Sequence, residues 1–248
     1  MVLKQRQGLI EVTVTLVFVS VLLGVRLSAF GIWDPWELNL ADAAQKLLSG
    51  KELSEPHGLS VWFVAFGFKA FGLQEWAGRV PIVVFAVVTV FLAYQLVGWF
   101  ATQRAAVYAA VVTATCPLFL FNARPMMGET VAFSFQALVA LCASAAVFKP
   151  CRNDKQMLAT IGWLAALLIS VMLAVETRGA LLCALPPLAA VACVAALKGL
   201  LRHPKKRPAQ ALAGYVVATI ATLLTGLITA DILANQSEYS RWIGGVPK

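Results

Sequence analysis

Long uncharged apolar segments recur along the chain and are separated by short polar stretches. A segment of about 20 apolar residues is long enough to cross the hydrocarbon core of a bilayer as an α-helix. The segments of about this length, each predicted to span a membrane, are residues 8–30, 80–98, 105–123, 130–148, 156–175, 180–197 and 209–230. The pattern therefore predicts an all-α transmembrane protein with about seven membrane-spanning helices.

The first apolar segment follows Lys4 and Arg6 and has two possible interpretations. A cleaved signal peptide has an apolar core of roughly 7–15 residues and a small-residue cleavage site. Segment 8–30 is longer than that, and Leu27-Ser28-Ala29 is a poor cleavage site. We therefore favour an uncleaved membrane anchor.

One further apolar segment, Leu59 to Gly72, is short for a crossing and contains Lys69. The basic loops 149–155 and 198–207, like the basic N-terminus, are expected to be cytoplasmic because positively charged loops stay on that side. The N-terminus and both basic loops fall on the cytoplasmic side only if segment 59–72 does not cross the membrane. It is predicted to lie at the outer interface as a juxtamembrane helix. The alternative, that it spans and another segment does not, remains open.

This orientation assigns four polar segments to the outer face: 31–59, 74–79, 122–129 and 176–179. They contain nearly all the acidic residues outside the tails, together with single arginines at the ends of different spans. The cytoplasmic loops, by contrast, are mainly basic. Charges gathered from several spans on one side are what a polar site at the membrane surface requires.

The first outer loop begins with Trp33-Asp34-Pro35-Trp36-Glu37. Pro35 favours the first position of a helix, so Asp34 becomes its N-cap, and this helix is predicted to run to about Leu48. Glu37 follows Asp34 at the spacing of a capping arrangement. Both carboxylates could therefore serve only to start a helix. Alternatively, Asp34 is a general base that deprotonates an acceptor hydroxyl or amine beside the membrane.

Composition and charge support the membrane assignment. With 60% hydrophobic residues, 13% charged residues and a mean hydropathy of +0.80, an ordinary soluble domain is excluded. The net charge of +8 comes from short basic clusters between apolar segments, which favours a role in orientation over nucleic-acid binding. The five cysteines have no CxxC or Cys/His spacing. No metal or cofactor is expected.

The loop motifs resemble those of GT-C membrane glycosyltransferases, in the branch that contains protein O-mannosyltransferases and aminoarabinose transferases. That branch has an acidic element at the start of the first outer loop, similar to Trp33 to Glu37. Four more elements follow in the family's order: Pro56-His57-Gly58-Leu59 through Phe71-Gly72; Glu75-Trp76-Ala77-Gly78-Arg79-Val80-Pro81; Ala123-Arg124 with Glu129; and Thr177-Arg178-Gly179-Ala180 with Leu185-Pro186. A family lysine is absent near Pro56, and Glu129 replaces an Asp.

The resemblance implies a GT-C-like module over residues 1–230, with two juxtamembrane helices in loop 31–79. It also implies transfer of a sugar from a polyprenyl-phosphate donor to a lipid or protein acceptor, at the periplasmic face of a bacterial inner membrane. Asp34 would be the catalytic base and Glu37 its supporting acid.

Arg79, Arg124 and Arg178 are candidate ligands of the donor phosphate because charged residues at the ends of membrane spans are costly, although each could instead be an arginine that only marks the interface. Glu129 could orient an arginine or the acceptor, or only start a helix as an N-terminal acid. His57 could approach the donor phosphate, but a lone histidine in a loop more often has no such role.

Two other functions remain open: a lipid-phosphate carrier or flippase, which would not need Asp34, and an inactive scaffold subunit, which would not need Arg79 or Arg124. Residues 231–248 are expected to begin a longer outer segment, so that the chain is either part of a larger enzyme or a minimal module with a partner. The sugar, the acceptor and the oligomeric state are not predicted.

Overall fold

The computed structural model describes residues 2–29, 31–32, 36–51, 58–149, 154–197 and 208–234. All secondary structure in these ranges is helical, which confirms the predicted all-α class. The helices are α1 (Val2–Gly24), α2 (Trp36–Leu48), α3 (Leu59–Phe71), α4 (Glu75–Phe100), α5 (Gln103–Thr115), α6 (Pro117–Ala123), α7 (Glu129–Phe148), α8 (Asp154–Gly179), α9 (Leu185–Leu197) and α10 (Pro208–Ala234). A π-helical turn, Ala180–Ala184, joins α8 to α9.

Three helical stretches within the described residues are long and apolar enough to cross a bilayer: Glu75–Phe100, Glu129–Phe148 and Met157–Thr177. They coincide with three of the predicted spans. Shorter apolar stretches occupy three other predicted spans: Glu11–Gly24, Leu181–Leu197 and Leu212–Ile228. The total of seven spans stays a prediction.

The predicted span 105–123 is not one continuous helix. Its two halves, α5 and α6, are bent by 64° where Thr115 meets Pro117. Proline has no backbone N–H and disfavours a helical conformation in the preceding residue, and Cys116 accordingly has ψ 123°. If both halves form one broken span, the described residues hold four candidate spans.

The predicted outer turn 176–179 is instead the last turn of α8. Gly179 ends the helix with φ +79°, a conformation that glycine adopts without strain. Pro186 then lies in the first turn of α9 and offers no N–H to the carbonyl of Leu182. The Gln136 amide donates to that oxygen at 3.4 Å, so the carbonyl still has a hydrogen-bond partner.

Helix α3 matches the predicted juxtamembrane helix Leu59 to Gly72 almost residue for residue. Its 13 residues span roughly 20 Å, less than the bilayer core of about 30 Å. One face, with Val61, Val64 and Phe68, is buried against α2 and α4. The aromatic side chains Trp62 and Phe66 are exposed. This two-sided helix suits the predicted interfacial position.

Helix α7 is central to the bundle and packs against α4, α8, α9 and α10. Many of its buried residues are small, including Ala143, Ser144, Ala145 and Ala146. Small side chains let helix backbones approach closely where no water drives association. Many large apolar side chains on other helices, such as Phe18, Val112 and Leu168, are exposed, as expected of a surface facing lipid.

At the C-terminal end of α7, the basic loop predicted to be cytoplasmic starts with Lys149. Its ammonium lies 4.2 Å from the ring centroid of Trp99 and 4.4 Å from that of Trp163. Cation–π contacts of this kind hold a charge at an aromatic interface. The Gln210 amide donates to the Lys149 carbonyl at 2.8 Å and ties α10 to the same corner.

The predicted orientation can be tested at Gln45, an exposed residue of α2. In a protein whose five native cysteines are replaced by alanine, Gln45→Cys is expected to react with a membrane-impermeant maleimide added outside intact cells. A cysteine placed at Lys155, in the opposite predicted loop, is the control and should react only after the membrane is opened. Reversed labelling of the two sites would refute the topology.

Candidate functional site

The polar segments predicted to share one face meet at one end of the bundle. The Ser60 hydroxyl donates to the Gly128 carbonyl at 3.4 Å, which joins the start of α3 to the loop before α7. Gly58 packs against the last turn of α8, and a methyl group added to it would overlap the backbone oxygens of Glu176 and Thr177. Glycine is needed here because only a backbone without Cβ fits.

A buried ion pair joins α2 to α4 at this end. The Arg79 guanidinium donates to the Glu37 carboxylate through Nε at 3.0 Å and through Nη2 at 2.8 Å. Glu37 is fully buried and Arg79 is 3% exposed. A two-pronged arrangement of this kind fixes the relative orientation of both side chains. The pair thus sets how the start of α2 sits on α4.

Arg79 also holds the segment between α1 and α2. Its Nη1 donates to the Leu27 carbonyl at 2.6 Å and its Nη2 to the Gly31 carbonyl at 2.9 Å. One guanidinium therefore binds the chain before and after the stretch that contains Asp34. The planar fork of five N–H groups makes arginine suited to such multiple contacts, and lysine could not reproduce them.

Glu37 connects the same cluster to the loop before α7. Its Oε1 accepts a hydrogen bond from the Met126 backbone N–H at 2.6 Å, in addition to the bond from Arg79. A buried carboxylate requires this kind of full hydrogen bonding. Glu37 is therefore a structural junction of three chain segments, which its capping spacing did not predict.

A cavity of about 140 Å³ opens beside the ion pair. This volume is well above the roughly 10–15 Å³ that one water molecule needs. The lining residues are Leu27, Glu37, Arg79, Leu120, Phe121, Arg124 and Pro125. The half-buried Arg124 donates to the Val25 carbonyl at 2.5 Å. Two arginines and one carboxylate give the wall a formal charge of +1 among apolar side chains.

The structure thus brings together three of the predicted site residues, Glu37, Arg79 and Arg124. Glu129 is the first residue of α7 and is half-buried, but it does not line this cavity. Asp34 and His57 lie outside the described residues, and for Arg178 only the backbone, in the last turn of α8, is described. Their predicted roles remain predictions.

The described side chains contain no group of three or more His, Cys, Asp or Glu residues that could hold a metal ion. The chemistry available at the described site is therefore that of the two guanidinium groups, one carboxylate and an apolar wall. Such a wall can hold an anionic headgroup attached to a hydrocarbon chain.

The sequence did not single out the apolar part of this wall. Leu27, Leu120 and Phe121 lie inside apolar segments, where nothing in the pattern separates a cavity residue from one that faces lipid. The ion pair left a clearer signal, because Glu37 and Arg79 are single opposite charges at the boundaries of apolar segments. Buried charges in such surroundings are normally paired.

The fold and the site define an all-α membrane protein with a positively charged cavity at one end of its helix bundle. Residues 57–223, more than half of the chain, match the family described as dolichyl-phosphate-mannose-protein mannosyltransferase. The chain belongs to this family and is an integral membrane protein. No curated protein sequence gives a significant match.

The fold resembles that of ArnT from Cupriavidus metallidurans, which confirms the predicted GT-C fold. The apo crystal structure of ArnT matches with a TM-score of 0.61 and 19% identity, over 97% of this chain and 44% of ArnT. The structure of ArnT bound to undecaprenyl phosphate matches with a TM-score of 0.62 and 20% identity, over 95% of this chain and 43% of ArnT. The chain thus spans less than half the length of these relatives.

Proposed function

We propose that the protein is a membrane glycosyltransferase that moves a sugar from a polyprenyl-phosphate donor to a lipid or protein acceptor. Transfer takes place at the outer, periplasmic face of a bacterial inner membrane. The observation that carries the proposal is the cavity beside Arg79 and Arg124, formed where the family's loop motifs meet. Membership of the mannosyltransferase family supports the reaction class.

Arg124 is the proposed contact for the donor phosphate. Its guanidinium is half-buried and lines the cavity, while Arg79 directs its N–H groups to Glu37 and to two carbonyls. Guanidinium groups match phosphate oxygens in charge and geometry. Leu120 and Phe121 offer an apolar surface for the first prenyl units. A lipid phosphate would then lie with its charge inward and its chain toward the bilayer.

Arg79 is proposed to position the base. Gly31 precedes Asp34 by three residues and Glu37 follows it by three, and both bond to the Arg79 guanidinium. The segment that carries Asp34 is therefore tethered on both sides to the wall of the cavity. Such anchoring reduces the freedom of the loop and keeps a catalytic group near its substrate.

In the proposed reaction, Asp34 takes the proton of the acceptor hydroxyl or amine while the acceptor attacks the sugar carbon that bears the phosphate. The bond to the polyprenyl phosphate breaks, and configuration at that carbon is inverted. Positive charge from Arg124 and Arg79, which both line the cavity, stabilises the departing phosphate. Arg178 and His57 are proposed as further phosphate contacts, and Glu129 as a group that orients an arginine or the acceptor.

Replacing Arg124 tests the phosphate contact directly. Arg124→Gln is expected to weaken binding of a polyprenyl phosphate by about tenfold or more, because a charge-assisted hydrogen bond is lost. Binding can be measured by tryptophan fluorescence titration in detergent. Arg26→Gln, a neutralised arginine that is exposed and outside the cavity lining, is the matched control and should bind normally. Equal binding by both variants would remove Arg124 from the donor site.

A further inference from the structure

A second polar groove lies at the other end of the bundle from the charged cavity. Helix α1 ends at Gly24, close to the carbonyls that Arg79 and Arg124 bind, and Glu11 lies 13 residues earlier, or roughly 20 Å along the helix. Helix α4 likewise runs from Arg79 toward Phe100, so Arg104 in the first turn of α5 is at the far end. The groove is thus separate from the proposed transfer site.

The groove has a volume of about 430 Å³ and lies between α1 and α5. Its lining residues are Glu11, Val14, Thr15, Arg104, Val107 and Tyr108. It therefore offers one carboxylate, one guanidinium and two hydroxyl groups, and its apolar lining includes Val14 and Val107. The Thr15 hydroxyl donates to the Glu11 backbone carbonyl at 2.7 Å, so this bond does not involve the Glu11 carboxylate.

The two charges of the groove have opposite sign but are not paired with each other. Among the described side chains, neither Glu11 nor Arg104 forms an ion pair, although both are exposed in the same groove. Charges beside an apolar membrane segment are costly unless something compensates them. A ligand with one positive and one negative group would compensate both at once.

Exposed apolar side chains continue from the groove along the outer faces of α1 and α5. Val14, Phe18 and Val21 are exposed on α1 at the three- and four-residue spacing that places them on one face. Val112 is exposed on α5, one turn after Tyr108. These side chains form two neighbouring hydrocarbon surfaces below the charges, which suits the acyl chains of a lipid.

We propose that this groove binds phosphatidylethanolamine, a zwitterionic phospholipid with a primary ammonium group. Arg104 binds the phosphate, and Glu11 accepts hydrogen bonds from the ammonium. The trimethylammonium of phosphatidylcholine has no N–H to donate, and the headgroup of phosphatidylglycerol has no positive charge to meet Glu11. The site goes beyond sugar transfer, since it binds a lipid of the bilayer at the opposite end of the protein.

Lipid competition on the purified full chain tests the site. Delipidated protein is equilibrated with equal amounts of the dioleoyl forms of the three lipids, and retained lipid is counted by native mass spectrometry. We expect phosphatidylethanolamine to be retained preferentially. Glu11→Gln should reduce this preference by about tenfold, as expected from loss of one charge-assisted interaction. Asp42→Asn, which removes an exposed carboxylate from α2, is the control and should keep the preference.

Two further variants keep the test decisive. Glu11→Lys should turn the preference toward phosphatidylglycerol, because the groove then carries only positive charge. Arg104→Gln should weaken retention of all three lipids. Soluble phosphoethanolamine should not compete, since it lacks acyl chains. Equal retention of the three lipids by the parent protein, an unchanged preference in Glu11→Gln, or displacement by soluble phosphoethanolamine would overturn the proposal.

Discussion

Asp34→Asn is expected to abolish sugar transfer from a polyprenyl-phosphate donor while leaving expression and donor binding close to those of the parent. Asparagine has nearly the same shape but cannot accept the acceptor's proton, and a positioned general base contributes roughly 10²–10⁴-fold to rate. Transfer can be measured in proteoliposomes by following a radiolabelled sugar from the lipid donor into the acceptor.

Asp42→Asn is the matched control, because it makes the same chemical change on the exposed side of α2. It should transfer sugar normally. Undiminished transfer by Asp34→Asn would refute the role of Asp34 as base. If the parent moved polyprenyl phosphate across the bilayer without sugar transfer, and Asp34→Asn did the same, the protein would be a carrier.

Arg79→Met is expected to lower the melting temperature strongly and to abolish transfer. The substitution leaves the fully buried Glu37 carboxylate without its guanidinium partner, and breaking a buried ion pair costs about 3–5 kcal/mol. It also removes the hydrogen bonds to the Leu27 and Gly31 carbonyls. Thermal unfolding in detergent, followed by size-exclusion fluorescence, gives the stability, and the proteoliposome assay gives the activity.

The double variant Glu37→Leu/Arg79→Met separates stability from positioning. Because neither charge is left unpaired, we expect it to recover much of the melting temperature lost by Arg79→Met. It should remain inactive, since the loop that carries Asp34 is no longer tethered. Recovery of activity along with stability would show that the pair only supports the fold. Full activity in Arg79→Met would favour a scaffold function.

The helices that were predicted best are those whose limits depend on local signals. Leu59 to Gly72 forms α3 because Gly58 and Gly72 bound one apolar segment, and α2 ends at Leu48 as predicted. Span 105–123 was predicted less well, because hydropathy does not register the break that Pro117 introduces. Hydropathy averages over a window, whereas a single missing N–H redirects the backbone.

The candidate site was only partly predictable for a related reason. The sequence selected Glu37, Arg79 and Arg124 as charges at the ends of apolar segments, and the structure brings these three together. It did not reveal that Glu37 bonds the Met126 N–H, because the two residues are 89 positions apart. Spacing reports on neighbours within one helix, while this contact depends on how α2, α4 and the loop before α7 pack.

The sequence by itself determined that the protein lies in a membrane, that it is all-helical, and which charged residues stand at the ends of apolar segments. Each of these follows from the cost of placing polar groups beside hydrocarbon. Only the tertiary structure decided that Arg79 pairs with Glu37 while Arg124 lines the cavity beside them. Similar arginines at the ends of different spans acquire different partners through helix packing. That packing is set by contacts among residues far apart in the chain.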